Sequence, residues 1–214
     1  MEFDCSNLVT LINDMLNLSY FDDEIIKASF TPENKTLLVI TGENATGKSF
    51  VRRLVQSICK LEKIELIHLS QEGRSRSGIV SSLIYGDESN NSTGYLTSNL
   101  ITTGINTCQK RTSKHFIFWD EPDIGLSDKY AAAVGIKIKE FVENLPNLTT
   151  GVIVTTHRKC LVYQLLPLKP SLLRLGDKKT LRQWFDEVIK PGDLNELSEK
   201  NNKLFEQIQK ILKP

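Results

Sequence analysis

The sequence lacks the features of a membrane-spanning or disulfide-stabilised protein. No apolar run approaches the ~18–20 residues that a membrane-spanning helix needs. The 214 residues include only four cysteines, which lie far apart and form no C-x-x-C pair. Neither a disulfide framework nor a zinc site is therefore predicted. The start of the chain carries Glu2 and Asp4 and no basic residue, unlike a secretory signal peptide, so we expect a cytoplasmic protein without membrane insertion.

The chain also lacks an excess of either charge, internal repeats and low-complexity tracts. Its 27 basic and 26 acidic residues give a formal net charge of +1. The overall field therefore steers neither nucleic acid nor an anionic membrane towards the protein. Apolar residues make up 40% of the sequence, which at this length is enough for one α/β domain with a full core. We predict a single domain over residues 1–214.

Patterns typical of strands alternate with patterns typical of helices along the chain. Short β-branched or aromatic runs predict strands at 24–30, 36–41, 64–69, 115–119, 151–156, 171–175 and 180–184. Helical spacing of apolar residues predicts helices at 7–18 with Ser6 as N-cap, after Lys48, at 95–110, at 128–145 and from 193 onwards. Within this order, residues 72–113 are a helical segment and residues 171–214 a C-terminal hairpin plus helix. The alternation predicts an α/β fold with a mainly parallel central sheet flanked by helices.

A complete phosphate-loop motif follows the predicted strand at 36–41. The sequence GENATGKS matches G-x-x-x-x-G-K-[ST] at every defined position. Between a strand and a helix, backbone N–H groups and the helix N-terminus converge on one point where a polyphosphate binds. Lys48 would reach the β- and γ-phosphates, and the Ser49 hydroxyl would ligate Mg²⁺. The sequence therefore predicts a nucleoside triphosphate site formed by Gly42, Glu43, Asn44, Ala45, Thr46, Gly47, Lys48 and Ser49.

Polar residues follow three other predicted strands, and ligands of parallel sheets bind at the carboxyl ends of the strands. Asp120 is expected in the Mg²⁺ shell, and Glu121 is expected to polarise a water for attack on the γ-phosphate. His157, after the strand at 151–156, could bind the γ-phosphate or hold that water as a neutral imidazole. Gln71, after the strand at 64–69, is a further candidate to sense the metal or the water.

These motifs, in this order, resemble those of the ABC-type ATPases. GENATGKS is similar to the Walker A loop of that family, FIFWDEP to its Walker B segment with a catalytic glutamate, and VIVTTH to its histidine switch. Gln71 resembles the Q-loop, and the resemblance covers about residues 36–160. The sequence DEPDIGL, residues 120–126, resembles the soluble SMC/RecF/OLD branch. The resemblance implies a P-loop NTPase fold, ATP as the nucleotide, and a homodimer in which ATP is sandwiched between two heads.

In that family a signature S-x-G from the opposite head contacts the γ-phosphate, and Ser92 and Gly94 are the candidates here. They lie just before a predicted helix and upstream of Asp120, as the family pattern requires. A serine hydroxyl and glycine N–H groups at a helix N-terminus suit a contact with a phosphate. The segment NSTGY departs from the usual L-S-G-G-Q at three positions. In addition, Ser127 stands where the family carries the aspartate of its D-loop.

The sequence leaves three functions open. The first is a soluble ABC-type ATPase that dimerises on ATP and acts on nucleic acid or in a phage or defence system. The second is the nucleotide-binding subunit of an ABC transporter, although the short segment between the phosphate loop and Gln71 leaves little room for a transporter subdomain. The third is an ATP-dependent scaffold that switches a partner protein. Tyr20 or Phe21 could stack on the nucleobase in any of them.

Overall fold

The structure, a computed structural model, describes residues 3–22, 25–70, 93–188 and 191–212. In these ranges the helices are α1 (Leu8–Leu16), α2 (Lys48–Leu61), α3 (Thr93–Lys110), α4 (Asp128–Glu143), α5 (Lys159–Leu165), α6 (Leu181–Asp186) and α7 (Leu194–Leu212). Short 3₁₀ turns cover Ser19–Phe21 and Leu166–Leu168. The strands are β1 (Ala28–Thr31), β2 (Leu37–Gly42), β3 (Glu65–Ser70), β4 (His115–Asp120), β5 (Thr149–Thr155) and β6 (Ser171–Leu175). None of the helices described is long and apolar enough to cross a membrane.

The strands form one six-stranded sheet in the order β1-β6-β2-β5-β4-β3. Every neighbouring pair is parallel except β1 and β6, which are antiparallel at one edge. The predicted α/β fold with a mainly parallel sheet flanked by helices is confirmed. The register pairs Thr155 of β5 with both Ile40 of β2 and Asp120 of β4. The segments that follow β2, β5 and β4 therefore leave the sheet side by side.

The central strands are apolar on both faces, which is typical of a parallel sheet covered by helices on each side. Because side chains alternate along a strand, Leu37 and Val39 pack into one core and Leu38 and Ile40 into the other. Helices α3 to α6 cover the first core, and α1 and α2 cover the second. The terminal helix α7 packs against the margin of the second core.

The predicted C-terminal hairpin is wrong. Residues 171–175 form a strand as expected, but the second half of the hairpin is helix α6. A capping box starts this helix: the Thr180 hydroxyl accepts the N–H of Gln183, and the Gln183 side chain accepts the N–H of Thr180. Such reciprocal bonds satisfy N–H groups that have no partner within the helix. Trp184 of α6 is buried, and the centroid of its ring lies 5.3 Å from the guanidinium carbon of Arg174.

Other predicted elements are present with shifted ends. The cap of α1 is Asn7 and not Ser6, because the Asn7 side chain accepts the N–H groups of the first helical turn. The first strand starts at Ala28, later than the predicted residue 24. Gln71 and Ser92 lie outside the described residues, as does the part of the predicted segment 72–113 that precedes α3.

Candidate functional site

Residues 42–49 connect β2 to α2 in a tight turn at the carboxyl edge of the sheet. Gly47, directly before α2, has a φ of +101°, in the left-handed region that glycine enters without steric cost. Ala45 has a φ of +58°, which costs energy for a residue with a side chain. The turn runs into the N-terminus of a 14-residue helix, where unpaired N–H groups and the helix dipole favour an anion.

Lys48, the first residue of α2, folds back over this turn. Its Nζ donates hydrogen bonds of 2.9 Å to the carbonyl oxygens of Gly42 and Glu43. The same Nζ lies 3.8 Å from Oε1 of Glu121, which directly follows β4. Burial lowers the pKa of Lys48, although the nearby carboxylates oppose this shift. The ammonium group therefore joins the phosphate-loop backbone to the end of the neighbouring strand.

Asp120 and Glu121 are both hydrogen-bonded to Thr155. This threonine lies on β5, between β4 and β2, the strand that leads into the phosphate loop. The Thr155 hydroxyl donates to Oδ1 of Asp120 at 2.5 Å and accepts the N–H of Glu121 at 2.9 Å. Arg52 lies on the other side of Asp120, with its Nε 3.3 Å from Oδ2. Burial alone would raise the pKa of Asp120, but His68, Thr155 and Arg52 outweigh burial, so this pKa is lowered. The carboxylate is therefore ionised at neutral pH.

Glu121 also faces His157, and the two residues shift each other's ionisation. His157 Nδ1 lies 3.7 Å from the same Oε1 that faces Lys48. The contact with His157 lowers the pKa of Glu121, and the charge of Lys48 adds to this effect. The contact with Glu121 raises the pKa of His157. Glu121 has a φ of +48°, so the chain turns sharply here and the two adjacent carboxylates acquire different surroundings.

The structure thus brings together Lys48, Asp120, Glu121 and His157, which the sequence had selected from three separate segments. Ser49 is exposed in the first turn of α2. Gly94, in the first turn of α3, takes no part in these contacts and lies beside Leu126 instead, whose Cδ2 would be 3.4 Å from an added Cβ.

Sequence interpretation missed Thr155 and Arg52. The sequence does contain a signal for Arg52. It follows Lys48 by four residues, and this spacing places the two side chains on the same face of the helix. Thr155 belongs to the VIVTTH segment, but nothing in that segment alone shows which neighbour its hydroxyl would bind. The sheet register supplies this information by pairing Thr155 with Asp120.

The donor set fits Mg²⁺ better than a metal held by protein alone. Within the described ranges, no group of three or more His, Cys, Asp or Glu residues could hold a metal ion. Mg²⁺ prefers oxygen ligands and usually binds through one or two carboxylates, substrate phosphates and waters. Ionised Asp120 and the exposed Ser49 hydroxyl are oxygen donors of this kind.

Gly176, directly after β6, packs against Thr46 of the phosphate loop. Its φ is +90°, and an added Cβ would lie 3.0 Å from Thr46 Cβ and still closer to its methyl carbon. We expect Gly176→Ala to displace Thr46, to lower the free energy of unfolding by about 1–3 kcal/mol and to weaken triphosphate binding. Chemical denaturation and calorimetry measure the two effects. Gly192→Ala is the matched control, because an added Cβ there has no neighbour within 4 Å; a Gly176→Ala protein that behaves like it would contradict the prediction.

We also expect the pKa of His157 to depend on Glu121. In an NMR titration the imidazole should have a pKa above its ordinary value of about 6.5, and Glu121→Gln should lower it by removing the charge while keeping the shape. Because the folded-state pKa is raised, this contact stabilises the fold fully below pH ~6.5, and its contribution is lost as the pH rises through the folded-state value. An unchanged titration curve in Glu121→Gln would show that the two side chains do not interact.

Comparison with known proteins does not assign this site. No protein-family model matches the chain, and no curated protein matches it. The interpretation of the site therefore rests on its own residues and geometry.

Proposed function

We propose that the chain is an ABC-type P-loop ATPase that binds ATP with Mg²⁺ and hydrolyses it. One observation carries this proposal: Lys48 Nζ and His157 Nδ1 lie 3.8 Å and 3.7 Å from the same carboxylate oxygen of Glu121. A phosphate-loop cation, a carboxylate and an imidazole thus meet at the carboxyl edge of a parallel sheet, where ligands of such sheets bind. The match to G-x-x-x-x-G-K-[ST] in the adjacent turn supports a nucleoside triphosphate as the ligand.

The roles of the residues follow from their positions. The N–H groups of the loop and of the first turn of α2 bind the phosphate oxygens. Lys48 gives up its bonds to the loop carbonyls and donates to the β- and γ-phosphates. Glu121, ionised because its pKa is lowered, orients the attacking water and accepts its proton. The sequence suggested a neutral imidazole at His157, but the contact with Glu121 raises its pKa, so a larger share of it is imidazolium than in a free histidine, and this positive charge favours the γ-phosphate.

Asp120 and Ser49 would hold Mg²⁺, which neutralises phosphate charge during transfer. The bond from Thr155 keeps the Asp120 carboxylate in one orientation. Against the effect of burial, His68, Thr155 and the positive charge of Arg52 together lower the pKa of that carboxylate. Arg52 lies on α2, which follows the loop, and Thr155 lies on β5, which pairs with β2 before the loop, so the proposed metal ligand and the phosphate loop are positioned by neighbouring elements.

We further propose that ATP joins two copies of the chain, with Ser92 and Gly94 of one copy reaching the γ-phosphate held by the other. This step rests on the resemblance of residues 36–160 to the ABC-type ATPases. Gly94 supports it by lying in the first turn of α3, the end of a helix at which anions are favoured. The proposed setting is the cytoplasm, with action on nucleic acid or in a phage or defence system.

The experiment begins with the purified chain, Mg-ATP calorimetry and phosphate release. Wild-type protein should bind ATP, release phosphate and shift to a dimer by light scattering. Ser92→Arg should retain ATP binding but block the dimer and turnover. Mixing it with Lys48→Ala protein should restore partial activity, because one complete site forms from Lys48 of the first chain and Ser92 of the second. Absence of ATP binding would refute the function, whereas turnover linear in enzyme concentration and insensitive to Ser92→Arg would refute the shared site alone.

A further inference from the structure

A cleft lies against the phosphate loop, and the C-terminal helix α7 forms one of its walls. The cleft has a volume of ≈ 360 Å³, and loop residues Asn44, Ala45 and Thr46 line it. His157 lines a different cleft, and the two share only Glu43. This cleft is therefore distinct from the one that His157 lines.

Helix α7 presents one stripe of side chains to this cleft. Lys200, Lys203, Leu204 and Gln207 line it, and their i, i+3, i+4, i+7 spacing places them on one helix face. The helix is attached by Leu204 and Ile208, which pack against the second core together with Tyr20, Phe21 and Ile25. The contacts that dock α7 onto the domain therefore also position the helix face that lines the cleft.

The chemistry of the cleft suits a nucleoside. Ile25 and Leu204 offer apolar surface for the face of a base, while Lys27, Lys203 and Gln207 carry N–H donors for base nitrogens and ribose oxygens. A mixture of apolar walls and a few polar groups is typical of small-molecule sites. A nucleoside in this cleft would lie next to Asn44, Ala45 and Thr46 of the loop that is proposed to hold its phosphates.

We propose that α7 is part of the nucleoside subsite, with Leu204 packed on the base and Lys203 and Gln207 donating to nucleoside oxygens. The proposal rests on the ATP-binding function proposed above. Tyr20, which the sequence suggested as a stacking partner, packs against Phe50 with the ring centroids 5.0 Å apart. The nucleoside would accordingly be bound by a helix that begins 145 residues beyond Ser49, the last residue of the phosphate loop.

The test compares two ligands that share their phosphates and differ in the nucleoside. Calorimetry measures Mg-ATP and Mg-tripolyphosphate binding to wild type, to the double variant Lys203→Ala/Gln207→Ala, and to Lys210→Ala. Lys210 is exposed on the same helix and does not line the cleft, so it is the matched control. We expect the double variant to bind ATP about tenfold more weakly, since two hydrogen bonds are lost, and to bind tripolyphosphate as the wild type does. Lys210→Ala should change neither affinity.

Each other outcome overturns the proposal in a recognisable way. An equal loss of affinity for both ligands would show that α7 contributes only positive charge to the phosphates. Unchanged ATP affinity in the double variant would remove α7 from the subsite while leaving ATP binding intact. If wild type binds neither ligand, the ATP-binding function itself fails. Hydrogen exchange adds a second readout: ATP should protect the α7 amides and tripolyphosphate should not, and equal protection by both ligands would contradict a nucleoside contact.

Discussion

Replacement of Lys48 by alanine is expected to lower ATP affinity by ~10²-fold or more. The ammonium group is the cation that the structure places on the phosphate loop, 2.9 Å from the loop carbonyls. Two or more hydrogen bonds from a charged donor contribute about 1.5–3 kcal/mol each, which accounts for a loss of this size. Calorimetry with Mg-ATP measures the effect, and Lys48→Met adds a variant that keeps most of the side-chain volume.

Lys60→Ala is the matched control for this experiment, because Lys60 is an exposed lysine in the last turn of the same helix. It should bind ATP as the wild type does. Thermal unfolding separates loss of binding from loss of fold, since Lys48 also bonds the loop backbone in the free protein. If ATP affinity in Lys48→Ala equals that of the control, residues 42–49 are not a phosphate loop.

The second large effect is expected from Glu121→Gln, which should slow ATP hydrolysis by ~10²-fold or more while preserving ATP binding. Loss of a positioned general base has this magnitude, and the amide has the same shape as the carboxyl group, so the φ of +48° at this position is equally tolerated. The ATP-bound dimer should then accumulate, because it forms but does not turn over. Phosphate release and light scattering with Mg-ATP measure the two consequences.

Two further variants test whether these effects are specific to Glu121. Asp120→Asn should weaken Mg²⁺-dependent binding as well as turnover, since that carboxylate is proposed to bind the metal. Glu140→Gln changes an exposed glutamate on α4 and should leave both properties unchanged. Hydrolysis at the wild-type rate in Glu121→Gln would place the catalytic base elsewhere in the chain.

Most strands of the sheet could be predicted because the central ones are continuous apolar runs. The ends of these runs were also visible in the sequence, since the polar residues of the site follow them directly. The place of β6 between β1 and β2 was not predictable, since it depends on pairs such as Leu38 with Ser171, far apart along the chain. Helix α6 was interpreted as a strand because six residues are too few for periodicity to distinguish the two. The informative signal there was local: Thr180 followed three positions later by Gln183 is a capping box.

At the site, the motif residues could be selected from sequence because their spacing follows from local chemistry. Their supporting contacts could not, because each joins elements distant in the chain. Arg52 reaches Asp120 from α2, and Gly176 packs on Thr46 from the end of β6. Both depend on the order of strands in the sheet, which the sequence pattern does not encode locally.

The single hydroxyl of Thr155 has a consequence for how this site can vary. Because it donates to the Asp120 side chain and accepts from the Glu121 backbone, the proposed metal ligand and the proposed base share one support. Residues that share a partner do not contribute independent free energies. The free-energy effects of substitutions at 120, 121 and 155 will therefore be non-additive. A substitution that moves the Thr155 hydroxyl to suit one of the two acidic residues will also disturb the other. We therefore expect the two proposed functions to change together.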